Sequence, residues 1–264
     1  AMSGLSSLHG YEDDPGMNTG GNYPDPVSGS FLVATVIAAL RHRDRTGEPQ
    51  RVDLSMVEAI TTVCGDAVVE YGCTGRLPRP LGNHHPRIAP HNNYPTQGGE
   101  WLALAAETEA AWQALVSHIG DDSLAETRFG TMALRKTNES EMDAIIADWC
   151  ARQDASATEA KLGALGLTAA RVVPLYELYS RSDTHFVASG FVTRVDHPEA
   201  GTTWLPGRPW RFSAASSTPV RAAPCVGEHS REVLSTELGL DDAEYAALVT
   251  AGVTGTLDEM KAAE

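Results

Sequence analysis

Residues 22–59 read NYPDPVSGSFLVATVIAALRHRDRTGEPQRVDLSMVEA, and they set one acidic side chain, Asp25, between Pro24 and Pro26 in a short loop ahead of an apolar helix. Proline fixes its own φ and pushes the residue before it toward extended angles, so Asp25 sits on a stiff segment. Gly29, four residues on, permits close backbone approach. Ser28 or Ser30 is placed to cap the helix, and Phe31 to Leu40 is apolar on nearly every face, which predicts a buried helix. The amino end of such a helix favours a carboxylate or an anionic ligand. Taken alone, an Asp in this position is more often a cap or a solvated loop acid.

Working outward, the 264 residues carry a formal charge of −15 and are 42% hydrophobic, enough for a sizeable core and two domains. The acidic balance excludes nucleic acid and anionic membranes as expected partners. Apolar runs are too short to span a bilayer and no signal peptide is visible, so the expected location is cytoplasmic. Ala1 reads as a cloning remnant and Met2 as the encoded start. Cys64, Cys73, Cys150 and Cys225 lack CxxC or Cys/His spacing and read as reduced bystanders. Arg41, His42, Arg43 and Arg45 form the one dense basic cluster, placed to complement a helix C-terminus before a stop at Gly47.

Past that stop, Gln50 to Leu54 reads as a short strand. A capping box of Ser55 with Glu58 then opens a helix that runs to about Tyr71, with Gly72 and Gly75 ending it. Residues 74–99 hold Pro78, Pro80, Pro86, Pro90 and Pro95 and are expected to lack regular structure. His84, His85 and His91 in this linker have no clear metal spacing, and no metal is expected. Glu100 to Ala106 reads as a strand, and Glu107 to Ile119 as a helix with Trp112, Leu115, Val116 and Ile119 on its core face. A further helix starts near Asn138, with Glu141 completing its cap and Met142, Ile145, Ile146 and Trp149 inward. A helix around Ala160 to Leu165 and a strand over Ala169 to Val173 complete a small α+β domain. Residues 175–213 pass from helical to alternating strand character, broken by Pro198, Gly201, Pro206 and Gly207. Glu228 and His229 are adjacent acid and base, in a segment better suited to capping than to catalysis. No P-loop, GxGxxG or internal repeat is present.

Several of these segments together resemble the family III CoA-transferases, also called the CaiB/BaiF family. The match is carried by Asp25-x-x-x-Gly29, then Ala38, Ala39, Leu40, Arg43, Thr46, Gly47, Gln50, Val52 and Asp53, then Ser55, Glu58 and Ala59. SGLSSLHGYEDDP near the amino end, the Gly82-Asn83 stretch with the loop after it, and APCVGEHSREVL near the carboxyl end also resemble family segments. Gly98 stands where the family usually has Asp, a change expected to alter a turn rather than the chemistry.

The resemblance implies an α/β fold: an incomplete Rossmann-like large domain plus a small α+β domain. The implied boundaries are 1–77 for the part bearing the catalytic Asp, 78–99 for the linker and active-site loop, 100–185 for the small domain, and 186–264 for the return to the large one. It implies Asp25 as nucleophile, with Ser28, Gly29, Asn83, His84 and His85 contacting substrate or CoA, and Ser28, Gly29 and Ser30 as local oxyanion donors. The substrates would be an acyl-CoA and a carboxylic acid, with coenzyme A as substrate rather than resident cofactor. The family segment like the amino end lies well inside the family chain, so the nucleotide-binding half is expected from a second polypeptide, or the chain forms a homo-oligomer. Two alternatives stand beside this one. The first is an α-methylacyl-CoA racemase-like enzyme using the same Asp for proton transfer, with Glu107 and Glu109 near the place of its extra Glu. The second is a non-catalytic structural partner of a full CoA-transferase.

Overall fold

A computed structural model describes residues 2–12, 16–18, 22–180, 185–214 and 221–263. Ala1, residues 13–15 at the end of the SGLSSLHGYEDDP segment and residues 181–184 of the 175–213 stretch lie outside the described residues. The chain divides into two units between Val172 and Val173.

The first unit opens with a short 3-10 turn at Leu5–Ser7 and then the long helix α1, Pro24–Thr46. Pro24 takes the first helical position, where its missing N–H costs nothing. Gly47 ends the helix at φ 79°, its N–H donating to Arg43 O at 2.7 Å, with Arg43 and Arg45 in the last turn opposite the dipole's negative end. Two expectations are corrected here. The helix begins at Pro24, so neither Ser28 nor Ser30 caps it; the Ser30 hydroxyl donates back to Pro26 O at 2.8 Å. Nor is the apolar stretch buried: Phe31 is 44% exposed, Val33 61% and Ile37 53%. A helix apolar all round needs cover on every side, and among the described residues its main neighbour is the next helix.

That next helix, α2 (Met56–Val63), is capped by the Ser55 hydroxyl, which accepts from Glu58 N–H at 3.3 Å. The single helix expected from Ser55 to Tyr71 is instead two. Thr61 and Thr62 bond back to the carbonyls of Val57 and Ala59, Cys64 N–H turns to Thr61 O, and α3 (Gly65–Thr74) begins after the break. Gly72 lies inside α3, and Gly75 at φ 68° ends it. Gln50 to Leu54, expected as a strand, joins no sheet among the described residues.

An antiparallel sheet follows, built from β1 (His91–Pro95), β2 (Trp101–Ala105) and β3 (Thr168–Arg171) in the order β1-β2-β3. β1 lies within the stretch expected to be irregular; as an edge strand it tolerates Pro95 at its end. Gly98 and Gly99, at φ 73° and 79°, turn the chain between β1 and β2. Register places Asn92 opposite Leu104 and Tyr94 opposite Leu102, on one face. That face meets α4 (Glu109–Ile119), α5 (Met132–Thr137), α6 (Glu139–Cys150) and α7 (Ala155–Ala164) around a core containing Tyr94, Leu102, Leu104, Trp112, Phe129, Met142 and Ile146. The Asn138 side chain does not cap α6, as the sequence suggested; it donates to Arg128 O and Leu134 O, while Glu141 pairs with Arg128. Arg135, 0% exposed, is stacked over Trp112 and donates to both Glu109 oxygens and to the carbonyls of Ala89 and Phe129.

The second unit holds α8 (Leu175–Ser180), α9 (His185–Ala188), the hairpin of β4 (Val192–His197) with β5 (Gly201–Pro206), and α10 (Ser230–Leu238), α11 (Asp242–Thr250) and α12 (Leu257–Ala263). Arg231 joins the last three helices by pairing with Asp242 and Glu259 over the Tyr245 ring. Gly227 is required by a close approach: a Cβ there would lie 2.1 Å from Gly255 O.

Candidate active site

Asp25 lies in the first turn of α1, not in a loop ahead of it. Prolines on both sides hold its backbone, and it stands at the positive end of the helix dipole. The residue is exposed, and no hydrogen bond or ion pair joins it to another described residue. Gly29 follows by one helical turn. Side chains on a helix lean toward its amino end, so a side chain at 29 would cover the surface beside Asp25. Glycine leaves that surface bare, and a Cβ built at Gly29 meets nothing within 4 Å. Ser28, on the adjacent face, is buried and its hydroxyl has no partner among the described residues. The amides of Ser28, Gly29 and Ser30 lie inside the helix and not at its open end.

The histidine loop is fastened on several sides. Gly82, at φ 58°, lets the Tyr11 ring approach to where a Cβ would be 2.6 Å away, and its N–H donates to Gly10 O at 2.9 Å. The Asn83 side chain reaches Tyr11 Oη at 3.4 Å, and His91 Nδ1 bonds Asn83 O at 2.8 Å. His84 Nε2 donates to Asp143 at 2.8 Å. The same carboxylate accepts from Asn92 at 2.7 Å and from Tyr94 Oη at 2.6 Å. Burial, then the neighbouring Asp143, hold the Tyr94 phenol well above the usual range, so it stays a donor. Lys136 Nζ bonds His85 O at 2.8 Å and Glu139 at 2.5 Å. His85 Nδ1 accepts from the N–H groups of Arg87 and Ile88, each at 3.1 Å.

Asp143, Asn92, Tyr94, Lys136 and Glu139 were missed by the sequence reading. A signal was present: Asn92 and Tyr94 are two apart in a strand and share a face, and Glu139 and Asp143 are four apart on a helix and share a face. Glu109, near the place of a racemase acid, is bound to buried Arg135, and that pairing holds its carboxyl below the usual range. Glu228 accepts from Cys225 N–H at 2.7 Å, closing a turn beside His229. Among the described residues no three His, Cys, Asp or Glu side chains gather to hold a metal ion. No helix among them is long and apolar enough to cross a membrane.

These features can be set beside known proteins. The model of CoA-transferase family III matches residues 1–230. A succinyl-CoA–D-citramalate CoA-transferase of Chloroflexus aurantiacus is 29% identical over 249 residues, covering 94% of this chain and 61% of that protein. A succinyl-CoA:mesaconate CoA-transferase of Haloarcula marismortui is 28% identical over 242 residues, covering 91% and 60%. The chain thus spans about 60% of the length of the curated relatives it matches. A crystal structure of a CaiB/BaiF family protein from Brucella suis superposes with a TM-score of 0.78 at 24% identity, over 91% of this chain and 61% of that one, and so shares the fold. With its family model matched from residue 1 to residue 230, the chain belongs to CoA-transferase family III.

Proposed function

We propose that this chain carries the nucleophile of a cytoplasmic CoA-transferase that moves CoA between an acyl-CoA and a carboxylic acid. The observation that carries this reading is Asp25, exposed and without a hydrogen-bond partner among the described residues, in the first turn of α1, with the bare Gly29 one turn away. The Asp25 carboxylate attacks the thioester carbonyl; the C–S bond breaks, CoA leaves as thiolate, and an acyl-aspartyl anhydride forms. The thiolate then attacks the aspartyl carbonyl, releasing the donor's acid and leaving an aspartyl-CoA thioester. The incoming acid repeats both steps in reverse, taking the CoA and freeing Asp25. Ser28 and Gly29 lie beside the carboxylate on the substrate side, and Asn83, His84 and His85 form the loop against the substrate. The Chloroflexus and Haloarcula relatives described above are named for succinyl-CoA, which makes it the first donor to test.

The apolar surface of α1 supports a partner chain: a row of exposed Phe31, Val33, Val36, Ile37 and Leu40 is costly to leave in water. A further matched relative, 29% identical over 253 residues, is named as the beta subunit of a succinyl-CoA–L-malate CoA-transferase. A second polypeptide or a second copy of this chain would cover the surface. Native mass spectrometry of the chain alone and with its co-expressed neighbour tests this. A complex that transfers CoA from succinyl-CoA, loses the activity on Asp25→Ala, and forms a hydroxylamine-sensitive acyl adduct is the expected result. A complex whose Asp25→Ala variant is fully active would overturn the reading, and solvent deuterium at the substrate α-carbon would point to a racemase instead.

A further inference from the structure

We propose that the second unit carries a nucleotide-binding cleft between α9 and the segment 207–211, with the base on its aromatic wall and a phosphate on Arg208 and Arg211. This goes beyond the CoA-transfer reading and makes no use of Asp25. The cleft is built by close approach of backbone. Gly190, at φ 72°, turns the chain from α9 into β4. After β5, Gly207 N–H donates to Phe191 O at 2.6 Å, and a Cβ at 207 would lie 2.7 Å from that oxygen. Only glycine fits there, and it pins the returning segment beside the start of β4. The Arg211 guanidinium ties the same segment to α9's end by donating to Ser189 O. The cleft so formed is open to solvent and has a volume of about 1140 Å³, enough for a base, a sugar and phosphates together.

Its lining runs against the character of the chain. The sequence holds 35 acidic residues against 20 lysines and arginines, yet two arginines and no Asp or Glu line the cleft. Arg208 makes no hydrogen bond or ion pair with another described residue, and Arg211 spends one of its five N–H groups on Ser189 O. Guanidinium groups with free donors and no neighbouring carboxylate bind an anionic oxygen, best of all as a fork on phosphate. Beside them, Phe186 and Phe191 pack with ring centroids 5.7 Å apart, His185 stands edge-on to Phe186, and Trp210 is 53% exposed. Exposed aromatic faces next to a cationic groove are what a nucleotide base stacks on. A small carboxylate would engage the arginines but leave the aromatic wall and most of the volume unused. The net charge of −15 repels an extended nucleic acid, so the occupant is a single nucleotide and not a strand.

The full chain is titrated with 3′-phosphoadenosine 5′-phosphate and, separately, with AMP, followed by tryptophan fluorescence and by calorimetry. Saturable quenching is expected with at least one probe. Trp210→Phe should remove most of the quench and keep the calorimetric affinity within about threefold, because an aromatic face remains. Arg208→Ala, at an exposed position without partners, should fold as before and weaken binding by about tenfold or more. Arg194→Ala is the control. It removes the same charge from the same unit, but Arg194 follows Thr193, which lines the cleft, and so faces the other side of β4, over Trp204. Its affinity should be unchanged. No saturable binding of either probe, or an equal loss in both arginine variants, would overturn the proposal. So would displacement of the nucleotide by equimolar inorganic phosphate, since the aromatic wall would then contribute nothing. A cleft that takes only the 3′-phosphorylated probe reads the nucleotide end of CoA, and one that takes AMP as well reads free nucleotides.

Discussion

The start of α1 and the histidine loop are both short, proline-bearing segments that place reactive side chains, but they are held in opposite ways. The loop is completed within this chain: Asp143 receives three donors, and Lys136 and Tyr11 hold its two ends. Around Asp25, by contrast, the described residues supply no polar partner, and the helix that carries it leaves its apolar side chains in water. On the proposed reading, in which both segments serve one site, the difference separates a preorganised half from a half awaiting cover. Preorganisation costs nothing at the moment of reaction, whereas the uncovered half must be finished by binding.

The strongest way to break the contrast is to unfasten the loop. Asp143→Ala leaves His84, Asn92 and Tyr94 without their shared acceptor, and should destabilise the first unit by about 2–4 kcal/mol, read by denaturant unfolding. Amide exchange should rise at residues 83–88 and stay unchanged along α1. Equal exchange at both segments would mean the loop is not held by this carboxylate.

Next comes Gly29. Its Cβ position is open, so Gly29→Leu should fold normally, and Gly29→Ala should gain roughly 0.5–1 kcal/mol from helix propensity. The leucine would fill the surface beside Asp25 and cut kcat/KM for acyl-CoA by roughly 100-fold, a loss of about 2.7 kcal/mol in transition-state binding. An active leucine variant would show that the substrate does not lie over this turn. A smaller effect is expected on the outer face of α1. Val33→Lys should leave the chain's own stability within about 0.5 kcal/mol, because Val33 is already mostly exposed. It should weaken the proposed association by about tenfold in native mass spectrometry titrations. Unaltered association would place the partner elsewhere.

How much of this was legible in the sequence follows the same division. The stop of α1 is local chemistry, Gly47 after Arg43 and Arg45, and it shows in a short stretch of residues; its start was placed too late, because a proline pair reads as loop as readily as it reads as a first helical turn. Its burial was misread because burial depends on what packs against a helix, which its own periodicity does not contain. β1 was hidden among prolines because its strand character comes from pairing with β2, a tertiary fact that outweighs local composition. The fastening of His84 to Asp143 crosses 59 positions of sequence, and no local rule links the two. The break at Cys64 had a visible cause in Thr61 and Thr62, whose hydroxyls compete for the helix carbonyls.

The smallest predicted effect sharpens what anchors the loop's far end. Arg135 is fully buried and holds Ala89 O, so the pairing of Arg135 with Glu109 fixes the chain where the loop enters β1. The arginine lowers the Glu109 carboxyl below its usual range, which means the folded protein prefers that acid ionised. A depressed acid contributes stability that is present above its unfolded value, about 4.3, and is lost as pH falls through the lower folded value. Glu109 is 55% exposed, so screening keeps the contribution to about 1 kcal/mol or less. Glu109→Gln should therefore be slightly less stable than the unmodified protein at pH 7. The gap should narrow below about pH 4.3 and close at more acid pH, where both side chains are neutral. Thermal unfolding across that range checks it. A gap that persists unchanged into acid would mean Glu109 acts by packing, leaving Arg135 to be held by the carbonyls of Ala89 and Phe129 alone.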